Sequence, residues 1–112
     1  MNGERKIRAY KNYFTDFIKS LQDSEARKVF YVLDLLKTQE RVSEKFVKSI
    51  EDGIFELRAE YNGNIFRVFF IFDEGNIVLL FNGFQKKTQK TPRKEIEMAK
   101  RLKKEYYDEK GK

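Results

Sequence analysis

Apolar and polar positions alternate most regularly between Ile54 and Pro92, where the pattern predicts three consecutive strands. Asn62-Gly63-Asn64 and Asp73-Glu74-Gly75-Asn76 separate them, both combinations that favour tight turns. Val68–Phe72 and Ile77–Phe81 are continuous apolar runs, suited to strands covered on both faces and too short to cross a membrane. Because side chains alternate along a strand, Phe55, Leu57 and Ala59 share one face and Glu56, Arg58 and Glu60 the other. In the next strand Phe66, Val68, Phe70 and Phe72 share a face, and Arg67 lies with Phe69, Ile71 and Asp73. An arginine set among aromatics needs a partner, since a buried unpaired charge is costly. Glu56, Glu60 and a ligand phosphate are the candidates.

Elsewhere the period changes. Arg5–Lys11 reads as a short strand with Ile7 and Ala9 alternating against Lys6, Arg8 and Tyr10. From Asn12 onward Phe14, Phe17, Ile18 and Leu21 follow helical spacing. Asp23 or Ser24 is placed to cap a second helix, whose stripe is Ala26, Val29, Phe30, Leu33 and Leu36, widened by Val32 and Leu35. Ser43 is expected to cap a short helical segment carrying Phe46, Val47 and Ile50 and ending near Gly53. Thr91-Pro92 reads as an N-cap with proline at the first helical position, opening a last helix with Ile96, Ala99, Leu102 and Tyr106 along its apolar stripe. The expected order is β-α-α-β-β-β-α, an α+β domain with an antiparallel sheet packed by helices. At 112 residues, with no repeat or linker, one domain spanning 1–112 is expected.

Composition narrows the chemistry. There is no cysteine and no histidine, which excludes disulfides, thiolate catalysis and the usual zinc clusters, and removes the commonest acid–base group. The acidic pairs Glu51-Asp52 and Asp73-Glu74 fall in turns without a third carboxylate at suitable spacing, so neither a metal site nor a cofactor is expected. The N-terminus lacks the apolar core of a signal peptide, and cytoplasmic residence is the expectation, with no membrane partner. The formal net charge is +6, and its whole excess lies in residues 86–112, with 11 Lys/Arg against 5 Asp/Glu. Such a concentration suits a nucleic-acid surface, although on the residues alone a solvated, lysine-rich terminal helix is the more ordinary reading.

The cations Arg58, Arg67, Lys86, Lys87 and Lys90 border the strands. Without a metal, RNA is cleaved by its own 2′-hydroxyl, which requires a base, cations around the pentavalent phosphate, and an acid for the leaving oxygen. Arginine forks onto two phosphate oxygens, and a lysine crowded by other cations can exchange a proton. Glu56 is a candidate base, unless it pairs with Arg58.

Three stretches carry a resemblance: GIFELR at Gly53–Arg58, RVFF at Arg67–Phe70, and GFQKKTQKTP at Gly83–Pro92. They are similar to the HigB branch of the RelE/ParE toxin superfamily, toxins of type II toxin–antitoxin pairs that include many phage-derived members. The resemblance implies a RelE-like fold and ribosome-dependent cleavage of mRNA. The implied partners are mRNA and ribosomal RNA, and a HigA-like helix-turn-helix antitoxin. It assigns catalytic roles to Arg58, Arg67, Lys86 and Lys87, and RNA contacts to Lys90, Arg93, Lys94 and Arg101. Many relatives carry a histidine just before the glycine–phenylalanine pair, where this chain has Phe81-Asn82. Some use a C-terminal tyrosine, for which Tyr106 and Tyr107 are the candidates, Tyr106 lying on the apolar stripe. A ParE-like inhibitor of DNA gyrase and a non-catalytic RNA-binding module share the same charge distribution.

Overall fold

The computed structural model describes residues 4–86 and 92–111. Its elements are β1 (Lys6–Ala9), α1 (Tyr13–Lys19), α2 (Asp23–Thr38), β2 (Val47–Glu51), β3 (Ile54–Tyr61), β4 (Asn64–Asp73), β5 (Ile77–Lys86) and α3 (Arg93–Lys110). They form one five-stranded sheet in the order β1-β5-β4-β3-β2. Strands β2 to β5 run as an antiparallel meander, and β1 joins the β5 edge in parallel, which makes the sheet mixed. A parallel pair cannot close through a tight turn, and here the rest of the sheet and both early helices lie between its members in sequence.

The segment expected to be helical after Ser43 is instead the strand β2, a correction to the reading from spacing. Asp52-Gly53 explains it. Both residues have positive φ, 59° and 76°, and they join β2 to β3 as a two-residue hairpin loop. Asn62-Gly63 does the same between β3 and β4, with φ of 52° and 79°. The Phe46, Val47, Ile50 spacing that resembled a helix is overridden by pairing with β3.

The sheet is covered on both faces. Phe66, Val68 and Phe70 of β4, with Leu57 and Ala59 of β3, pack against Phe14 of α1 and Val29, Val32, Leu33 and Leu36 of α2. On the other face Ile54, Phe69, Ile71, Leu79 and Phe81 pack against Ile96, Ala99 and Leu102 of α3. The parity expected for β3 and β4 holds. Phe30 does not follow its stripe: it is 49% exposed and meets Phe14 edge-on, while Val32 is buried in its stead.

Local signals set the helix ends. Gln22, and neither of the expected Asp23 and Ser24, caps α2 in a reciprocal capping box with Glu25. At the other end Arg5 donates to the carbonyls of Leu36, Gln39 and Glu40 at 2.7, 2.7 and 2.9 Å, satisfying acceptors that the end of a helix leaves open. Pro92 stands at the N-cap of α3, and Thr91 lies outside the described residues. Gly83 is needed for contact with α1: a Cβ there would lie 2.4 Å from the Phe17 ring.

One irregularity positions the site. Val68 pairs with Gly83 but Phe70 with Leu80, so Phe81 and Asn82 together oppose Phe69 in a β-bulge. The bulge resets the alternation of β5. Leu79 and Phe81 face α3 before it, and Phe84 and Lys86 take the same face after it.

Candidate functional site

On the α3 side of the sheet, beyond the apolar contact with α3, the strands carry a band of charge. Arg58 lies directly opposite Arg67 across the β3–β4 pair. Glu56 precedes Arg58 by two residues on that face and is paired with Lys48 of β2. Lys86 pairs with Ile65, two residues before Arg67, and Phe84 lies opposite Arg67. Sheet register therefore brings Lys48, Arg58, Arg67 and Lys86 from four strands around the carboxylate of Glu56.

Two arginines opposite one another repel. Arg67, only 4% exposed, is compensated: its Nη1 donates to Glu56 Oε1, and Glu56 is 1% exposed. Glu56 thus takes Arg67 as its partner. Burial lowers the Arg67 guanidinium from its ordinary range, Glu56 opposes that shift, and Arg58 adds to it. Arg58 is half-buried, its Nε is buried without an acceptor, and no carboxylate pairs with it among the described residues.

Lys86 is held below the usual lysine range, chiefly by burial and next by the Arg67 charge. Glu56 resists the shift, and Arg58 and Lys48 deepen it. No carboxylate forms an ion pair with Lys86 among the described residues. The band can grip an anion through Arg58 and Arg67, beside a lysine whose proton is loosened.

The remaining sequence candidates fall elsewhere. Lys87 and Lys90 lie outside the described residues. Arg93 is occupied: it forks onto both Glu51 oxygens at 2.8 Å and also meets Glu97 at 2.7 Å. Lys100 joins Glu51 as well, so this group ties α3 to the β2–β3 turn. Lys94 and Arg101 are exposed on α3, Arg101 at 3.9 Å from Glu105.

Tyr106 and Tyr107 both donate to Asp73, which also binds Lys110, locking the end of α3 onto the far end of β4. Six residues of strand separate Asp73 from Arg67, roughly 20 Å at strand rise, which places both tyrosines away from the cations. Asn82 lies in the bulge and donates Nδ2 to the Glu95 carbonyl and side chain at 3.1 and 3.0 Å. It anchors the first turn of α3.

Lys48 was missed by sequence reasoning because its segment read as helix. The Asp52-Gly53 hairpin signal would have placed it on the cationic face. Among the described residues no group of three or more His, Cys, Asp or Glu is arranged to hold a metal ion. Among them, too, no helix is long and apolar enough to cross a membrane.

Comparison with known proteins agrees with this architecture. The model of the phage-derived protein Gp49-like family matches residues 16–104. The crystal structure of an archaeal RelE–RelB complex from Pyrococcus horikoshii OT3 contains a chain that superposes with a TM-score of 0.52 at 15% identity, covering 71% of this chain and 92% of that one. No curated protein sequence matches. The chain belongs to the Gp49-like family of phage-derived proteins, a family of RelE/HigB-type toxins, and has the RelE-like fold.

Proposed function

We propose that this toxin is a metal-independent endoribonuclease that cleaves mRNA on the ribosome and so inhibits translation. The observation that carries the reading is the band of Arg58, Arg67 and Lys86, in which two of the three cations have no carboxylate partner among the described residues. Arg58, without a carboxylate of its own among the described residues, lies opposite a second guanidinium at a cost to fold stability, and a phosphodiester beside it relieves that cost.

In this reading Arg58 and Arg67 hold the non-bridging oxygens of the scissile phosphate. The 2′-oxygen attacks phosphorus as the bond to the 5′-oxygen breaks, leaving a 2′,3′-cyclic phosphate and a 5′-hydroxyl. Lys86, with its lowered proton affinity, exchanges a proton with the reacting oxygens or neutralises the developing charge, assisted by Lys87. Glu56, buried against Arg67, aims that guanidinium and does not reach substrate. Lys90, Lys94 and Arg101 contact RNA along the basic terminal region, and Arg93 joins them only by releasing Glu51. A HigA-like helix-turn-helix antitoxin, its acidic groups facing the band, neutralises the toxin in the cytoplasm; the RelE-like neighbour was solved as a complex with RelB.

The test is expression in a bacterium with mapping of mRNA 5′ ends, comparing wild type with Arg67→Lys. New 5′ ends and growth arrest with the wild type, both lost in a folded Arg67→Lys, are expected. Identical behaviour of the two overturns the catalytic assignment. If purified gyrase loses supercoiling activity in the presence of the toxin while mRNA stays intact, the ParE-like reading replaces this one. RNA binding without cleavage on translating ribosomes selects the non-catalytic module.

A further inference from the structure

Arg58 serves two surfaces. Besides facing Arg67, it lines a groove of about 530 Å³ at the sheet edge just before β2 begins, together with Lys28 and Tyr31 of α2 and Lys45 and Phe46 of the turn before β2. That volume is in the range of small-ligand clefts, roughly 300–1,000 Å³. The floor is fixed, because the Phe46 carbonyl accepts the Arg58 amide at 2.7 Å and so pins the turn to β3.

The chemistry of the groove alternates cation and ring. The Lys28 ammonium lies 4.9 Å from the Tyr31 ring centroid, and that of Lys45 lies 5.5 Å from the Phe46 ring. Tyr31 is 54% exposed on α2, an aromatic that contributes little to the core. Three cations, Lys28, Lys45 and Arg58, face a single carboxylate, Glu60, along the lining. Rings interleaved with cations are the means by which proteins hold single strands: bases stack on the rings, and ammonium groups follow the phosphates.

We infer that this groove is a stacking subsite for single-stranded RNA, which takes the base of a nucleotide neighbouring the phosphate held by Arg58 and Arg67. The inference rests on the RNA-cleaving reading of the adjoining band and adds to it a strand path around the β3 edge. Tyr31 supplies the platform, Lys28 and Lys45 hold flanking phosphates, and Arg58 is the shared point between groove and cleavage site. An acidic peptide is the competing occupant, since it satisfies the cations equally but gains nothing from the exposed Tyr31 ring.

The test measures binding of a fluorescent single-stranded oligonucleotide whose 2′-hydroxyls are methylated, so that it cannot be cleaved. The same oligonucleotide with abasic sites, and a polyglutamate peptide, are the comparison probes. Wild type is expected to bind the intact strand about tenfold more tightly than the abasic one, and Tyr31→Ala to abolish that difference while Tyr31→Phe retains it. Equal binding of intact and abasic strands, equal binding by wild type and Tyr31→Ala, or preference for polyglutamate each overturns the subsite. Ribosome-dependent cleavage is scored separately with the same proteins. Cleavage by wild type without the stacking signature removes the groove and leaves the nuclease standing. The signature without any cleavage removes the nuclease alone.

Discussion

Arg58 and Arg67 face each other as direct neighbours across two central strands, and among the described residues Arg67 alone of the pair has a carboxylate. Fold stability does not account for that asymmetry. Opposed like charges cost roughly 0.2–1 kcal/mol, and the Arg58 Nε is buried without an acceptor. Replacing Arg58 by Ala is therefore expected to leave the unfolding free energy unchanged or raised by up to about 1 kcal/mol, while toxicity is lost. Urea unfolding and a growth assay on the same variant measure both.

The Glu56–Arg67 pair should behave in the opposite manner. Both groups are buried, so Glu56→Gln strands a guanidinium in the interior and is expected to cost about 3–5 kcal/mol. Replacing both by methionine is expected to recover most of that loss, because the uncompensated charge is gone. Denaturant unfolding of Glu56→Gln, of Glu56→Met and Arg67→Met singly, and of the double methionine variant checks this, and additive losses from the two methionine changes would contradict it.

Lys86 gives a pH signature. Its proton affinity is lowered in the folded chain from 10.5, so the unfolded state binds more protons in the window between the lowered value and 10.5. Stability contributed by Lys86 accordingly rises with pH through that window. The wild-type stability minus that of Lys86→Met should increase on going from neutral pH toward 10.5. A flat difference would mean that the lysine is not crowded.

Glu51 acts at the other end of the scale. Its bonds from Arg93 and Lys100 pull its carboxyl down to about 2 from 4.5. The stability it contributes is present above 4.5 and is lost as pH falls toward about 2. Wild type and Glu51→Gln should therefore converge in stability as acid is added, as followed by circular dichroism.

Much of the fold could be read because two simple periods dominate it. The alternation of Phe55, Leu57 and Ala59 against Glu56 and Arg58 survives in β3, where both faces are covered. The stripe of Ile96, Ala99 and Leu102 lies against the sheet as expected. Where the reading failed, tertiary pairing overrode local spacing: Val47–Glu51 became an edge strand through its hairpin at Asp52-Gly53. The bulge at Phe81-Asn82 was unreadable because alternation within a five-residue apolar run is invisible, yet it is what turns Lys86 toward Arg67. The partner of Arg67 was open for a different reason, as Glu56 and Glu60 have the same parity and register alone decides between them.

The most direct measurement adds purified toxin to ribosomes translating a defined mRNA and maps the 5′ ends, using wild type and Arg58→Ala. Discrete new ends with the wild type, and none with a folded Arg58→Ala, are the predicted result. Ends that persist unchanged in the variant would show that these guanidinium groups do not hold the phosphodiester being cut.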